Sequence, residues 1–387
     1  MTPRPLPPLL GLLALALAVP LAAQEEARGG LDLQKSHFVN VAARGKRVYY
    51  TEHFDLSGLP SYQPEQQVSG TIREWGSNYF ADSPLGQYWE DGFRKYQPGV
   101  RFEYHLLTTL TATPALCLGL ADLAPSRHIT FDELLGFERV TRREPVEITV
   151  VTGSYNVPGW NYAIGIFVNR ANPLAHLTLR QLDGIFGAER TGGYVGTVWH
   201  LELARGPAGN IRTWGQLGLT GEWANRPIHT YGYNLRYHIP LTFERLVFGG
   251  ADKWNENLQE FANYRDAAGK SHLEAQQVIE ALDRDPDGIG YSSIAYLTPG
   301  TKPVALATRE GGPYVPMTLR TVQNRTYPLD DEVYFYLDRD PAKPTDPKVR
   351  EFMRYLLSRE GQEAVQRDGK YLPLTAEVVQ AQLAKLQ

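Results

Sequence analysis

Ala163-Ile164-Gly165-Ile166-Phe167-Val168 stands shortly before Thr178-Leu179-Arg180-Gln181-Leu182-Asp183-Gly184-Ile185-Phe186-Gly187, and these two runs decide the fold class. The first is short, unbroken and apolar, as in a strand covered on both faces. The second opens with a capping box, in which the Thr178 hydroxyl accepts from the N–H three residues on and the Gln181 side chain reaches back. Leu182, Ile185 and Phe186 then share one helical face, and Gly187 ends it. A buried strand feeding a capped helix is the repeating unit of α/β proteins.

The same alternation continues in both directions. On the N-terminal side, Pro84 can open a helix carrying Leu85, Tyr88, Trp89, Phe93 and Tyr96, which Gln97-Pro98-Gly99 stops. Val100, Phe102, Tyr104 and Leu106 alternate with polar neighbours as a half-buried strand does, and Glu147 to Val151 reads as another strand. On the C-terminal side, Ser271-His272-Leu273-Glu274 reads as a second capping box, opening a helix with Ala275, Val278, Ile279 and Leu282. Asp285-Pro286-Asp287-Gly288 is a turn, and Ile289 to Tyr291 and Val333 to Leu337 are strands. Asp346 caps a last helix, with Pro347 at its first position and a stripe of Val349, Phe352, Met353, Leu356 and Leu357. These stripes read as core, and the class is α/β.

Two segments stand outside this pattern. Residues 1–23 place Arg4 before an apolar run from Leu9 to Val19 and end in Ala22-Ala23. That is a secretory signal, too short to span a bilayer. Its removal takes the formal charge from -4 to -5. Residues 24–68 form a polar, turn-rich extension with one expected strand at Arg47 to Thr51. The expected location is the periplasm or the exterior.

With 39 basic and 43 acidic residues interspersed, a general nucleic-acid grip is disfavoured. The 42% apolar content of the 387 residues argues against disorder and for two domains. One thiol, Cys117, cannot form an internal disulfide, and between Leu116 and Leu118 it reads as a small core hydrophobe. No Gly-x-Ser-x-Gly elbow, His-Glu-x-x-His, Walker loop or dinucleotide fingerprint occurs, so no catalytic residue, cofactor or metal is expected. What remains is a set of polar turns between strands and helices: Gly76-Ser77-Asn78, Thr108 to Thr111, Ser126-Arg127 and Tyr231 to Asn234. Backbone N–H groups, hydroxyls and a guanidinium in such turns can replace the water around a small anion. Singly, each is also an ordinary helix cap.

The order of these segments resembles the phosphate-type periplasmic solute-binding proteins that serve ABC transporters. The resemblance rests on Gly76-Ser77 with Trp89 and Gly92-Phe93, on Thr111 to Leu116 with Ala121-Asp122 and Ser126-Arg127, and on Phe167 to Pro173. Leu179 to Phe186, Thr213 to Leu217, Gly288 to Tyr291, Tyr327-Pro328-Leu329 and Ser358 to Gln362 continue it, over about three quarters of the chain. It implies a type 2 binding-protein fold, with two α/β lobes joined by two crossing strands. The first lobe would be discontinuous, residues 69–166 and 325–387, and the second would be residues 167–324. It also implies a small anionic solute in the cleft, no chemistry, and an inner-membrane ABC permease as partner.

Carried onto this chain, the ligand-binding residues would be Gly76, Ser77, Asn78, Thr109, Thr111, Ser126 and Arg127 from two loops, and Asn234, Arg236 and His238 from a third. The third loop departs from the family, which usually carries an Arg and then Ser-Gly-Thr where this chain has Tyr233 and then Tyr237-His238-Ile239. Arg236 and His238 are the nearby replacements. Arg127 stands where some members carry an Asp that accepts from a protonated phosphate, and Tyr79-Phe80 stands where small or hydroxyl residues are usual. Two further readings stay open. One is a degenerate member that binds another ligand through an aromatic cleft of Tyr79 to Trp89 and Tyr231 to Tyr237, or acts as an envelope interaction protein. The other is a hydrolase using His238 beside Ser77.

Overall fold

The computed structural model of the chain describes residues 32–340 and 342–387. The expected signal segment and the extension up to residue 31 lie outside the described residues. Among the described residues, no helix is long and apolar enough to cross a membrane.

Two groups of strands organise the chain. In the first, Ser69–Trp75 pairs in parallel with Gly99–His105. A single bridge from Glu74 to Leu123 links this pair to a three-stranded antiparallel sheet. That sheet has Glu332–Leu337 in its centre, flanked by Ala124–Ser126 and Val146–Thr152. The second group is a mixed five-stranded sheet in the order Gln259–Phe261, His229–Tyr233, Gly288–Ser292, Gly165–Asn169, Thr301–Pro303. Every residue of Gly165–Asn169 is buried, as its unbroken apolar run requires.

The chain passes from one group to the other through residues 153–164 and returns through residues 327–331, and these two segments run side by side. Gly153 N–H donates to Asp331 O at 2.7 Å and Ile164 N–H to Leu329 O at 2.8 Å. A side chain on Gly153 would place Cβ 2.2 Å from the Asp331 carbonyl oxygen, so the close approach requires glycine. The C-terminal helices then return to the first group, where Thr152 bridges Leu372.

Local chemistry sets most boundaries. Thr178 and Gln181 form the reciprocal capping box of helix Leu179–Phe186, Pro84 precedes Leu85–Arg94, and Asp346 caps Pro347–Leu356 through the N–H of Lys348. Other expectations fail. Residues 47–51 form no strand; they are held by Tyr49 and Tyr50 N–H donating to one carbonyl, that of Gly369, which leaves no ladder. Helix Glu274–Arg284 is not capped by Ser271, which pairs within Ser271–His272 against Tyr264–Arg265; instead Glu274 N–H donates to Asn263 Oδ1 at 2.9 Å. Tyr231 to Asn234 is not a turn: residues 229–233 are a strand inside the sheet. Cys117 is only half-buried, packing at the edge of a small cluster with Ala112 and Leu116, while Leu118 is exposed. The extension, expected to be turn-rich with one strand, carries a helix among its described residues, Leu33–Ala42, capped by Asp32.

Candidate functional site

The first two predicted loops meet through their backbones. Gly76 follows strand Ser69–Trp75 with φ +150°, and a Cβ there would lie 2.1 Å from Pro125 O and 3.3 Å from Ala112 Cβ, so only glycine fits. Ser77 N–H donates to the same Pro125 oxygen at 2.7 Å. Ser77 Oγ then accepts from Tyr79 N–H at 3.2 Å, opening the short 3-10 turn Asn78–Phe80. Gly76, Ser77, Asn78 and the Ser126-Arg127 turn are therefore neighbours. Thr109 and Thr111 sit farther out, in a half-exposed 3-10 turn capped by Thr108, where Thr111 Oγ1 donates to Thr108 O at 2.8 Å.

Ser126 is fully buried, and its Oγ has no hydrogen-bond partner among the described residues. Arg127 is 8% exposed and forms a bidentate pair with Glu133, Nη1 to Oε2 at 2.7 Å and Nη2 to Oε1 at 3.1 Å. Burial alone would raise the Glu133 carboxyl, but hydrogen bonding and charge from Arg127 hold it below the usual range. Nη1 also donates to His128 O at 2.9 Å, which leaves Nε–H and one Nη2 hydrogen for other acceptors.

The third loop behaves differently. Asn234, buried, ends strand His229–Tyr233; its N–H donates to Phe261 O at 2.8 Å and its Oδ1 accepts from Arg236 N–H at 3.2 Å. Arg236 is exposed, and its charge bears on Tyr237. His238 begins helix His238–Val247, whose Tyr237 N-cap supplies no side-chain cap, and its Nε2 bonds Asn161 Oδ1 at 2.8 Å. Burial, followed by the charges of Arg127, Arg44 and His37, brings the imidazole down to about 3. Burial and the nearby charges thus favour the neutral ring of His238. Its ring is bonded to Asn161, and Ser77 Oγ is engaged with Tyr79 N–H. Of the expected aromatic cleft, Tyr79, Tyr231 and Tyr233 are buried core residues, with Tyr233 Oη and Tyr162 Oη 2.7 Å apart, while Trp89, also buried, lines a separate cavity with Phe80.

Three residues outside the predicted set complete the cluster. Asp331, in the return crossing segment, is fully buried; Thr242 Oγ1 reaches its Oδ1 at 3.4 Å while Oδ2 has no partner among the described residues. Burial pushes its carboxyl up to about 7, against the pull of Arg245, His128 and Arg127. Arg245 lies two turns beyond His238 on the same helix face, and its buried Nε also lacks a partner. Burial works against the Arg245 charge, yet Tyr334, Asp331, Glu147 and Tyr336 outweigh it and raise its pKa.

The third is Arg44, 6% exposed, from the extension. It pairs with Asp82, donates to Asn78 Oδ1 at 3.3 Å and lies over the Tyr79 ring at 4.7 Å. Upstream, Ser36 Oγ sits 2.5 Å from Tyr237 Oη. One short segment thus touches both the first loop and the third. No sequence signal marked Arg44. Arg245 could have been found from its helical spacing to His238, and Asp331 from its place just after Tyr327-Pro328-Leu329.

The arrangement gathers three guanidinium groups, a hydroxyl and a carboxyl of raised pKa where the crossing segments meet the first two loops. Buried donors without partners suit an oxyanion, and Asp331 can accept from one that still carries a proton. Among the described residues, no group of three or more His, Cys, Asp or Glu side chains is placed to hold a metal ion.

Phosphate-binding proteins PstS from two strains of Pseudomonas aeruginosa are each 32% identical to this chain over 329 residues, covering 85% of it and 90% of the relative. Among solved structures, PstS from Borrelia burgdorferi matches with a TM-score of 0.49 at 16% identity, over 79% of this chain and 100% of that one. An ABC-type phosphate transport receptor from Vibrio cholerae matches with a TM-score of 0.47 at 17% identity, over 78% and 99%. Residues 63–360 match the PBP superfamily domain. On the strength of that match and of the PstS relatives, the chain belongs to the PBP superfamily.

Proposed function

We propose that this protein is an exported solute-binding protein that captures phosphate or a related small oxyanion between two lobes, residues 69–166 with 325–387 and residues 167–324. It would present the solute to an inner-membrane ABC permease after cleavage of residues 1–23. The observation that carries the reading is the pair of buried donors without partners, Ser126 Oγ and Arg245 Nε, beside Arg127 and the half-bonded Asp331. The relatedness to PstS supports the choice of anion. In this reading Asp331 takes the acceptor role that Arg127 cannot fill, and Arg245 and Arg44 supply the guanidinium groups the third loop lacks. Capture and release involve no covalent step.

Isothermal titration of phosphate into refolded, ligand-free protein tests it. Micromolar binding that disappears in Arg127→Ala and in Arg245→Ala, with folding unchanged by circular dichroism, is the expected result. A second reading, a member that no longer holds phosphate tightly, draws on the third loop, where Ile239 offers no donor side chain and His238 is bonded to Asn161. Absence of heat up to millimolar phosphate would establish that reading instead.

A further inference from the structure

Glu74 breaks the alternation of its own strand. In Ser69–Trp75 the inward positions are Ile72 and Glu74, and Glu74 is 3% exposed. A carboxylate taken out of water needs a partner. Among the described residues it has no hydrogen bond or ion pair; burial, with the nearby Glu90 charge, pushes its pKa up to about 8. It lies on the wall of a cavity of about 190 Å³ that the anion cluster does not share.

Half of the remaining wall is aromatic, Phe80, Trp89, Phe335, Phe352 and Tyr104, and Ser83 and Gln87 add polar side chains. Trp89 and Phe335 are fully buried, whereas Tyr104 is 41% exposed, so the cavity runs from the core to the surface. At the outer end, Tyr104 Oη donates to Glu90 Oε2 at 3.0 Å, and Arg94 Nη1 holds Glu90 Oε1 at 3.0 Å. The groups bearing on Glu74 are therefore Glu90, Tyr104 and, beyond them, Arg94. The Arg94 charge is engaged with Glu90 and leaves Glu74 uncompensated. Aromatic faces carry negative potential and attract cations, best when the cation sheds its water. A single carboxyl among five aromatic rings provides too few ligands for a divalent metal, which needs several oxygens.

We propose that this cavity is a binding site for a small organic cation of the alkylammonium class, with Glu74 as counter-ion and Trp89, Phe80 and Tyr104 as the aromatic wall. The site is separate from the proposed phosphate site and does not depend on it. Binding requires the ionised carboxyl, so affinity rises with pH until Glu74 has lost its proton. Each pH unit below its pKa costs about tenfold.

Choline is the probe, and its uncharged carbon analogue 3,3-dimethylbutan-1-ol is the control. Titration by calorimetry is run at about pH 6 and about pH 9 on the wild type and on Glu74→Gln, a variant that keeps the shape and removes a buried charge. The expected result is choline binding that strengthens at least about tenfold toward the higher pH, while the control alcohol and the variant bind at least about tenfold more weakly. Equal binding of choline and the alcohol, equal binding by wild type and Glu74→Gln, or no heat with millimolar choline at the higher pH would each overturn the proposal. Phosphate binding by Glu74→Gln stays as in the wild type, which separates failure here from failure of the oxyanion reading.

Discussion

The turn at Gly76 and the loop from Asn234 to Ile239 were both carried over as anion-binding loops, yet they are built on opposite terms. The first is fixed by backbone, with a glycine that nothing else can replace and a carbonyl of Pro125 that receives Ser77 N–H. The other is held by side chains: Asn234 caps Arg236, Asn161 takes His238, and Ser36 of the extension reaches Tyr237. In the backbone-held loops the Ser126 hydroxyl is left without a partner, and Arg127 keeps donors beyond its pair with Glu133. A loop held by its side chains has fewer left for a ligand. In the proposed oxyanion reading, the guanidinium missing from the third loop comes from Arg245 farther down the same helix and from Arg44 of the extension.

That contrast can be broken by mutation. Arg245→Ala and Arg127→Ala should weaken phosphate by about 100-fold or more, since charge-assisted hydrogen bonds contribute ~1.5 to 3 kcal/mol each and a buried partner is left exposed to the loss. Calorimetry is the readout, and retention of wild-type affinity in both would remove the oxyanion reading. Arg44→Ala should cost about tenfold and lower Tm, because Asp82 and Asn78 lose a shared donor. Unchanged affinity there would mean that the extension only braces the loops.

Stability against pH sharpens the comparison further. Asp331 and Glu74 have folded-state pKa values raised to about 7 and about 8, so each contributes stability that is complete below the usual carboxylate range and is lost as pH rises through those values. His238, lowered to about 3, works the other way: its contribution is present above the usual histidine pKa and fades as pH falls below it. Ligand-free protein should therefore melt at lower temperature at pH 8 than at pH 6. Glu74→Gln should recover about 2 to 4 °C at the higher pH and almost nothing at pH 5, as followed by differential scanning calorimetry. Arg236→Ala, on the exposed side of the third loop, should change phosphate affinity by less than about twofold. A larger loss would restore that loop to the site.

Much of the fold was legible because it rests on local rules. Thr178 with Gln181, Asp346 with Pro347 and the all-apolar Gly165–Asn169 carry their structure in neighbouring residues. The misreadings come from competition that local rules do not see. Ser271 lost its capping role to a strand pairing, and Tyr231 with Tyr233, which read as a polar turn, is absorbed into a sheet by burial. The candidate site was legible in part: Gly76, Ser77, Asn78, Ser126 and Arg127 lie together, whereas Thr109 and Thr111 sit farther out and Arg236 faces solvent. Asp331 and Arg245 stand at spacings that could have pointed to them, but an acid or a base in the sequence carries no mark of burial, and Arg44 had no signal at all.

The sequence by itself determined where many strands and helices begin, which of their faces are apolar and that the chain is α/β, because caps, turns and periodicity act over a few residues. Only the tertiary structure decided which charges meet. Arg44, Arg127, Arg245 and Asp331 come from four separate stretches of chain, and Arg245 and Arg127 bear on Asp331, and Arg44 on His238, only because packing brings these groups together and strips away water. The same desolvation turned Glu74 from one acid among many into the one carboxyl lining a largely aromatic cavity.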